Sequence, residues 1–421
     1  MEKFQIKDVS AIQILDSRGV PTVRAYVTLE GGIRASASVP SGASTDSFEA
    51  HEKRDGDMSE YGGSGVKKAV RMIEDEISPA VCGADIRRLR EIDETMRALD
   101  GTDEKRRLGA NAIFAVSLAA ARASAEAQGL PLYYLIGGEN ARTLPMPMMN
   151  ILNGGRHADN GLDIQEFMIQ PRGARSFEEA VKMGAEVYMK LKGILKQRNL
   201  STAVGDEGGF APDVSTEEAI EMISEAVIKA GYTGSSIPLC LDAAASEWQH
   251  EGRYLLPKAK KSYEREELIE YWLSLCSRFP IASIEDPLGE NDFEGFAAIT
   301  RERPSIQWVG DDLFVTNPER LRRGIRQGAA NALLCKMNQI GTLSETLGAI
   351  SLAKENGYAV IVSHRSGETA DTFLSDLAVA VNASQVKTGA PCRAERTEKY
   401  NRLIEIEKEL GIKGIYGGLL G

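Results

Sequence analysis

Five short apolar runs in the second half of the chain each lead into a residue that can do chemistry. Leu241 precedes Asp242, Ile284 precedes Glu285, Gly310 precedes Asp311, Cys335 precedes Lys336 and Ser363 precedes His364. From Glu285 onward these residues recur about every 25 to 28 positions, the span of one strand, one helix and two loops. A single charge of this kind only ends a strand. A repeated set is expected on the carboxyl-terminal face of a (β/α)8 barrel, where the residues converge. Three ionised carboxylates a few ångströms apart repel, by about 4 kcal/mol for a unit pair at about 4 Å even at an effective dielectric near 20. Asp242, Glu285 and Asp311 therefore require a cation if they converge, and oxygen-only ligands with room for water and substrate suit Mg2+. The alternative is separate surface salt bridges, the usual fate of a lone Asp.

Lys336 is the next strand-end residue. It is either a partner to those acids or a general base. A free lysine has a pKa of about 10.4, and lowering it by about three units takes about 4 kcal/mol, the scale of one close charge contact. The run VSHRSGET then supplies His364, Arg365 and Ser366, and Lys387 follows in VKTGAP. A planar guanidinium fork, a hydroxyl and a second cation suit an anion with at least two charged groups. Earlier in the chain, VGDEGGFAP carries Glu207, IQEFMI carries Glu166 and NGGRHADN carries His157. A carboxyl beside glycines, partly desolvated, can keep its proton and act as a general acid. Other signals fail. Gly62–Val66 opens a helix without the Gly-Lys-Ser/Thr of a phosphate loop, and no GxSxG elbow is present.

These residues need elements to hold them. Val23, Ala25, Val27 and Leu29 alternate with polar residues, Gly31-Gly32 turns the chain, and Ile33, Ala35, Ala37 and Val39 alternate again. Period two on both sides of a glycine turn predicts a hairpin with one dry face. Pro40 to Asp57 reads as a long loop. Helical patterns are expected from Val66 to about Leu99 and from Leu108 to Gln128, the latter ending at Gly129 before Pro131. Residues 1–137 thus form an α+β domain, with a Gly- and Pro-punctuated boundary before residues 143–421. There, eight apolar runs are candidate strands of a parallel barrel: Met146–Leu152, Phe167–Ile169, Thr202–Val204, Pro238–Leu241, Ile281–Ile284, Gln307–Val309, Ala332–Leu334 and Ala359–Val362. The fold class is α/β, a (β/α)8-type barrel with a smaller α+β domain before it. The acid-rich stretch Glu395 to Leu410 reads as a solvated helix face.

Composition narrows the class. The 421 residues are 43% hydrophobic and 26% charged, ordinary for a globular protein and enough for a large core. A net charge of −11 argues against a nucleic-acid binder but not against a small anionic substrate. No apolar run approaches the ~20 residues of a membrane span, and MEKFQIKDVS lacks the features of a signal peptide. Five scattered cysteines without CxxC predict reduced, mostly buried thiols in a cytoplasm. Four dispersed histidines disfavour a zinc site.

The motifs LDSRGVPTV, VPSGAST, NGGRHADN, VGDEGGFAP, LDAAASE, VGDDLFVTN, KMNQIGTL, SHRSGET and KTGAPCR together resemble the enolase family, in its order and spacing along essentially the whole chain. The resemblance implies reversible dehydration of 2-phosphoglycerate to phosphoenolpyruvate in glycolysis and gluconeogenesis, with two Mg2+ per site. It implies that Asp242, Glu285 and Asp311 hold the first metal and Ser44 the second, which arrives with substrate. Lys336 would remove the C2 proton, and a lysine base beside Mg2+ is the known arrangement of that superfamily rather than a deduction from these residues. Glu207 would protonate the leaving 3-hydroxyl with support from Glu166. Arg365 and Ser366 would hold phosphate, Lys387 the substrate carboxylate, and His157 and His364 would complete the site. A cytoplasmic homodimer or octamer is implied. The rivals are a non-catalytic relative used for binding or structure and a dehydratase for a related acid. Asp46 stands where the family has Gly, Val20 where it has Asn, and Cys335 where it has an aliphatic residue. Asp46 is expected to stiffen closure of the Ser44 loop and to repel phosphate.

Overall fold

The computed structural model describes residues 2–42 and 48–419. Ser44 and Asp46 lie outside the described residues. The chain forms two compact units. One gathers the chain up to Ala141 together with Lys336–Ser351 and His364–Val381; the other comprises Arg142–Cys335, Leu352–Ser363 and the chain from Asn382 onward.

In the first unit, Ile6–Leu15, Pro21–Leu29 and Arg34–Ser38 form an antiparallel three-stranded sheet. Ala25 faces Ala37 and Val27 faces Ala35 across the second pair. Val23, Ala25, Val27 and Leu29 are buried, and Arg24, Tyr26 and Thr28 are less so, so the dry face is the one the alternation predicts. The Ala-rich helix Ala110–Gln128 packs on this sheet and is buried along most of its length. Its small side chains favour the helix and let it approach the strands closely. The expected helix from Val66 to Leu99 is instead interrupted. Lys67–Arg71, a π-helical turn at Met72–Ile77 and Ser78–Val81 run on continuously, and a new helix starts at Leu89. Between them Gly83 adopts φ +83°, a conformation open to glycine. Its N–H bonds the Ile6 carbonyl, and the Ile86 N–H bonds that of Phe4. Pairing with the start of the sheet, not helix continuation, satisfies this backbone.

The second unit holds a closed eight-stranded barrel. In chain order its strands are Met146–Asn153, Glu166–Ile169, Leu239–Asp242, Ile281–Glu285, Gln307–Gly310, Ala332–Cys335, Ala359–Ser363 and Gln385–Lys387. Met148, Met168, Cys240, Val309, Ala332, Leu334 and Ile361 fill its interior. Two details differ from the sequence expectation. Thr202–Val204 is not a barrel strand; Val204 makes a single bridge to Phe210, and the eighth strand is Gln385–Lys387. The second strand is antiparallel to both neighbours. The connection from Gly154 to Gln165 contains one 3-10 turn and no helix, so the chain reverses as a hairpin rather than crossing over. The stretch after Glu395 is a helix, Ala394–Leu410, but Arg396 and Lys399 are buried beside Tyr400, Leu403 and Ile406, so it is not a purely solvated face. The cysteines are all free; Cys240, Cys276 and Cys335 are buried, and Cys82 is exposed. No helix among the described residues is long and apolar enough to cross a membrane.

Candidate active site

Strand register sets the acids in a row. Asp242, the last residue of the third strand, pairs with Glu285, the last of the fourth, and with Glu166 of the second. Because the second strand is antiparallel, its first residue, Glu166, lies at the barrel end where its neighbours finish. Lys387 ends the eighth strand and Asp311 follows the fifth. All five side chains are buried.

One ammonium serves three of these acids. Lys387 Nζ lies 2.8 Å from Glu285 Oε2, 3.0 Å from Glu166 Oε2 and 3.1 Å from Asp242 Oδ2. Burial works against the Lys387 charge, but Asp242, Glu166, Glu285 and Glu207 hold its pKa well above the usual lysine value. The acids are pushed the other way. Burial raises Glu166 well above the ordinary carboxylate range, and Glu207 and Asp242 add to this against the pull of Lys387. Burial likewise raises Glu285, with Asp242, Asp311 and Glu166 adding to it and Lys387 opposing.

Glu207 lies in the glycine-rich loop after the helix Phe177–Gln197. Its Oε2 accepts a hydrogen bond from Asn150 Nδ2 at 2.9 Å. The loop needs Gly209, where a Cβ would meet Asn153 Oδ1 at 2.5 Å and the Leu152 nitrogen at 2.9 Å. His157 Nδ1 stands 3.8 Å from both Glu166 Oε1 and Glu207 Oε1. The buried Nδ1 of His157 and Oδ1 of Asn150 have no hydrogen-bond partner. The ligand atoms of His157, Glu166 and Glu207 lie within 4.8 Å of one another, as do those of Asp286, Asp311 and Asp312. Asp311 thus groups with two acids absent from the sequence reading. Asp286 follows Glu285 at φ +41° and accepts the N–H groups of Asp311 and Asp312. Its place directly after the strand-end Glu285 is the one mark of it in the sequence.

The residues present fit a hard divalent cation. Glu166, Asp242 and Glu285 crowd one ammonium, Glu207 and Asp311 add carboxyl oxygens nearby, and His157 Nδ1 is the nitrogen that joins them. Excess buried negative charge of this kind is costly until a cation joins it.

The remaining expected residues belong to the first unit. Lys336 follows the sixth barrel strand in sequence and opens a 3-10 turn, Met337–Gln339. His364, Arg365 and Ser366 follow the seventh and are buried. Arg365 pairs with Glu49 and also donates to Asn338 Oδ1 at 3.1 Å. Arg18 Nη1 donates to Ser366 Oγ at 3.3 Å, and its Nη2 donates to the carbonyls of Ser41 and Gly42. Arg18, Glu49 and Asn338 were not singled out from sequence. Arg18 does lie within LDSRGVPTV and Asn338 within KMNQIGTL, and Glu49 had no signal beyond being an acid in a polar loop.

Two family models match the chain. One described as "Enolase, N-terminal domain" matches residues 6–136, and one described as "Enolase, C-terminal TIM barrel domain" matches residues 141–420.

Proposed function

The chain belongs to the enolase family, and is a lyase of the enolase superfamily; from that premise we propose that it catalyses the reversible, Mg2+-dependent dehydration of 2-phosphoglycerate to phosphoenolpyruvate. The observation that carries this reading is the buried row of Glu166, Asp242 and Glu285 around the single ammonium of Lys387. Asp242, Glu285 and Asp311 would hold one Mg2+, and Ser44 would reach a second. Bound there, Mg2+ supplies positive charge against the doubly negative fragment that forms when a proton leaves the carbon beside a carboxylate.

Lys336 takes the C2 proton. Glu207 gives a proton to the departing 3-hydroxyl. Glu166, whose pKa is raised by burial and by Glu207, supports that role by retaining a proton where an exposed carboxyl would lose it. A base and an acid in different surroundings can then work at one pH. Arg365 and Ser366 hold the phosphate. Lys387 turns to the substrate carboxylate once the acids around it have another counter-ion, and His157 and His364 complete the polar enclosure. The same reading carries a glycolytic role in the cytoplasm and a homo-oligomeric state.

The test is an absorbance assay for phosphoenolpyruvate formed from 2-phosphoglycerate, with Mg2+ and with chelator. Formation that requires Mg2+ is expected. A folded protein that forms none with Mg2+ present would reject the reading and favour a binding role or another acid substrate.

A further inference from the structure

A buried guanidinium must have an anion, and Arg365 already has one. Arg365 and Glu49 are sealed from water, with side chains 5% and 6% exposed. They meet as a fork on a fork. Arg365 Nη2 lies 3.1 Å from Glu49 Oε1 and 3.3 Å from Oε2, and Nη1 lies 3.3 Å from Oε2. Glu49 Oε1 also accepts from Gln339 Nε2 at 3.1 Å, and the Ala50 N–H bonds the Gln339 carbonyl at 2.8 Å. Two Nη groups side by side are what a phosphate would use, and carboxylate and phosphate are interchangeable partners for such a fork. Two anions held on one buried fork repel each other.

We infer that Glu49 is a further residue of the substrate site, the internal anion that Arg365 exchanges for the substrate's phosphate. This rests on the assignment of Arg365 to phosphate. Before ligand arrives, Glu49 keeps the guanidinium charged, buried and aimed. When phosphate takes the fork, Glu49 gives up Arg365 and keeps its contact with Gln339. The phosphate affinity of the site is therefore set against an anion built into the chain.

The probe is inorganic phosphate, titrated calorimetrically into the full-length protein at fixed ionic strength. Glu49→Gln keeps the shape and one acceptor while removing the charge. It is expected to tighten phosphate binding about tenfold, the scale of one charge-assisted hydrogen bond. Arg365→Gln is expected to weaken phosphate binding, and adding Glu49→Gln to it should change nothing further. Gln339→Met, which removes the Nε2 bond to Glu49 and keeps the Arg365 side chain, should tighten binding by about threefold and serves if Glu49→Gln does not fold. Unchanged or weaker phosphate binding in folded Glu49→Gln, or in Gln339→Met where it must stand in, would overturn the exchange and leave Glu49 as scaffolding. If Arg365→Gln binds phosphate as the parent does, the phosphate assignment itself fails and the exchange with it. Loss in Arg365→Gln with no gain in Glu49→Gln sinks the exchange alone.

Discussion

Glu285 and Asp371 are both largely shielded from water, and their acidities move in opposite directions. Burial raises Glu285, and three neighbouring acids raise it further against the one ammonium of Lys387. Burial also works to raise Asp371, but the charge and hydrogen bonds of Arg122 and N–H groups from Ser38 and Phe373 bring it below the ordinary value. Arg122 meets Asp371 as a fork, its two Nη atoms 2.6 and 2.8 Å from the two carboxylate oxygens, and its Nη1 also donates to the Ser36 carbonyl. The number of counter-charges, more than burial, decides which way a carboxylate shifts. At the barrel end of the second unit several buried acids crowd the ammonium of Lys387, an arrangement that could hold a cation. In the first unit Arg122 meets Asp371 and Arg365 meets Glu49, each carboxylate facing a guanidinium fork.

The largest expected effects test the proposed chemistry on each side of this comparison. Lys336, in the first unit, is the proposed base. Lys336→Ala should abolish exchange of the C2 proton with solvent and lower turnover by about 10⁴ or more, the upper range for general-base loss, while Mg2+ binding to the acid row persists. Near-normal exchange would remove Lys336 from the role and make Lys387 the first suspect. Glu207, in the second unit, is the proposed acid. Glu207→Gln should lower dehydration by about 10² to 10⁴ yet spare much of the C2 exchange. An equal fall in both would mean that Glu207 serves geometry rather than proton transfer.

The sequence told these regions apart unevenly. Acids at the ends of apolar strands were legible because a buried parallel strand reads as an apolar run and its end as the first polar residue. The direction of a strand leaves no mark on such a run, so the antiparallel second strand was not readable, although Glu166 just before FMI was. Gln385–Lys387 has one apolar residue, Val386, and gave no run at all. Thr202–Val204 gave a run of the right length but sits in a loop. Glu49, Asp286 and Arg18 were missed for a different reason: their roles depend on residues distant in sequence, and an acid or arginine in a polar loop is by itself a surface residue.

A mid-sized effect sharpens the account of the acid row. Glu166 and Glu285 have raised pKa values in the folded chain, so the folded protein holds protons that the unfolded chain releases above about 4.5. Stability without metal should therefore fall as pH rises from that value through the raised pKa values. The melting temperature measured with chelator should be lower at about pH 8 than at about pH 6, and Mg2+ should restore more of it at the higher pH. At about 100 times its Kd a ligand adds about 2.7 kcal/mol, a shift of several degrees in a chain of this size. Asp242→Asn should shrink the Mg2+ shift and raise the metal-free melting temperature, because it removes one of the repelling charges. A Mg2+ shift that ignores both pH and Asp242→Asn would place the cation elsewhere.

The smallest expected effect belongs to the balanced pair. Asp371 has a lowered pKa, so its contribution should be fully present above about 3.8 and be lost as pH falls through the folded value. Asp371 also accepts the Phe373 N–H at 2.9 Å, at the start of the helix Phe373–Ala380, and the Ser38 N–H at 2.8 Å. Asp371→Asn keeps one acceptor oxygen but leaves Arg122, 22% exposed, without its anion. The cost should be about 1 to 3 kcal/mol near neutral pH, or a few degrees of melting temperature. It should vanish toward acid, where the parent's Asp371 is itself protonated. Arg122→Met should flatten the same acid limb by removing the cause of the lowered pKa. The Mg2+ response of the acid row should be the same in both variants as in the parent. Melts across pH with and without Mg2+ read all of this at once. A loss in Asp371→Asn that persists undiminished at low pH would mean that the carboxylate's shape and hydrogen bonds stabilise the helix start, and that its charge balance with Arg122 contributes nothing measurable.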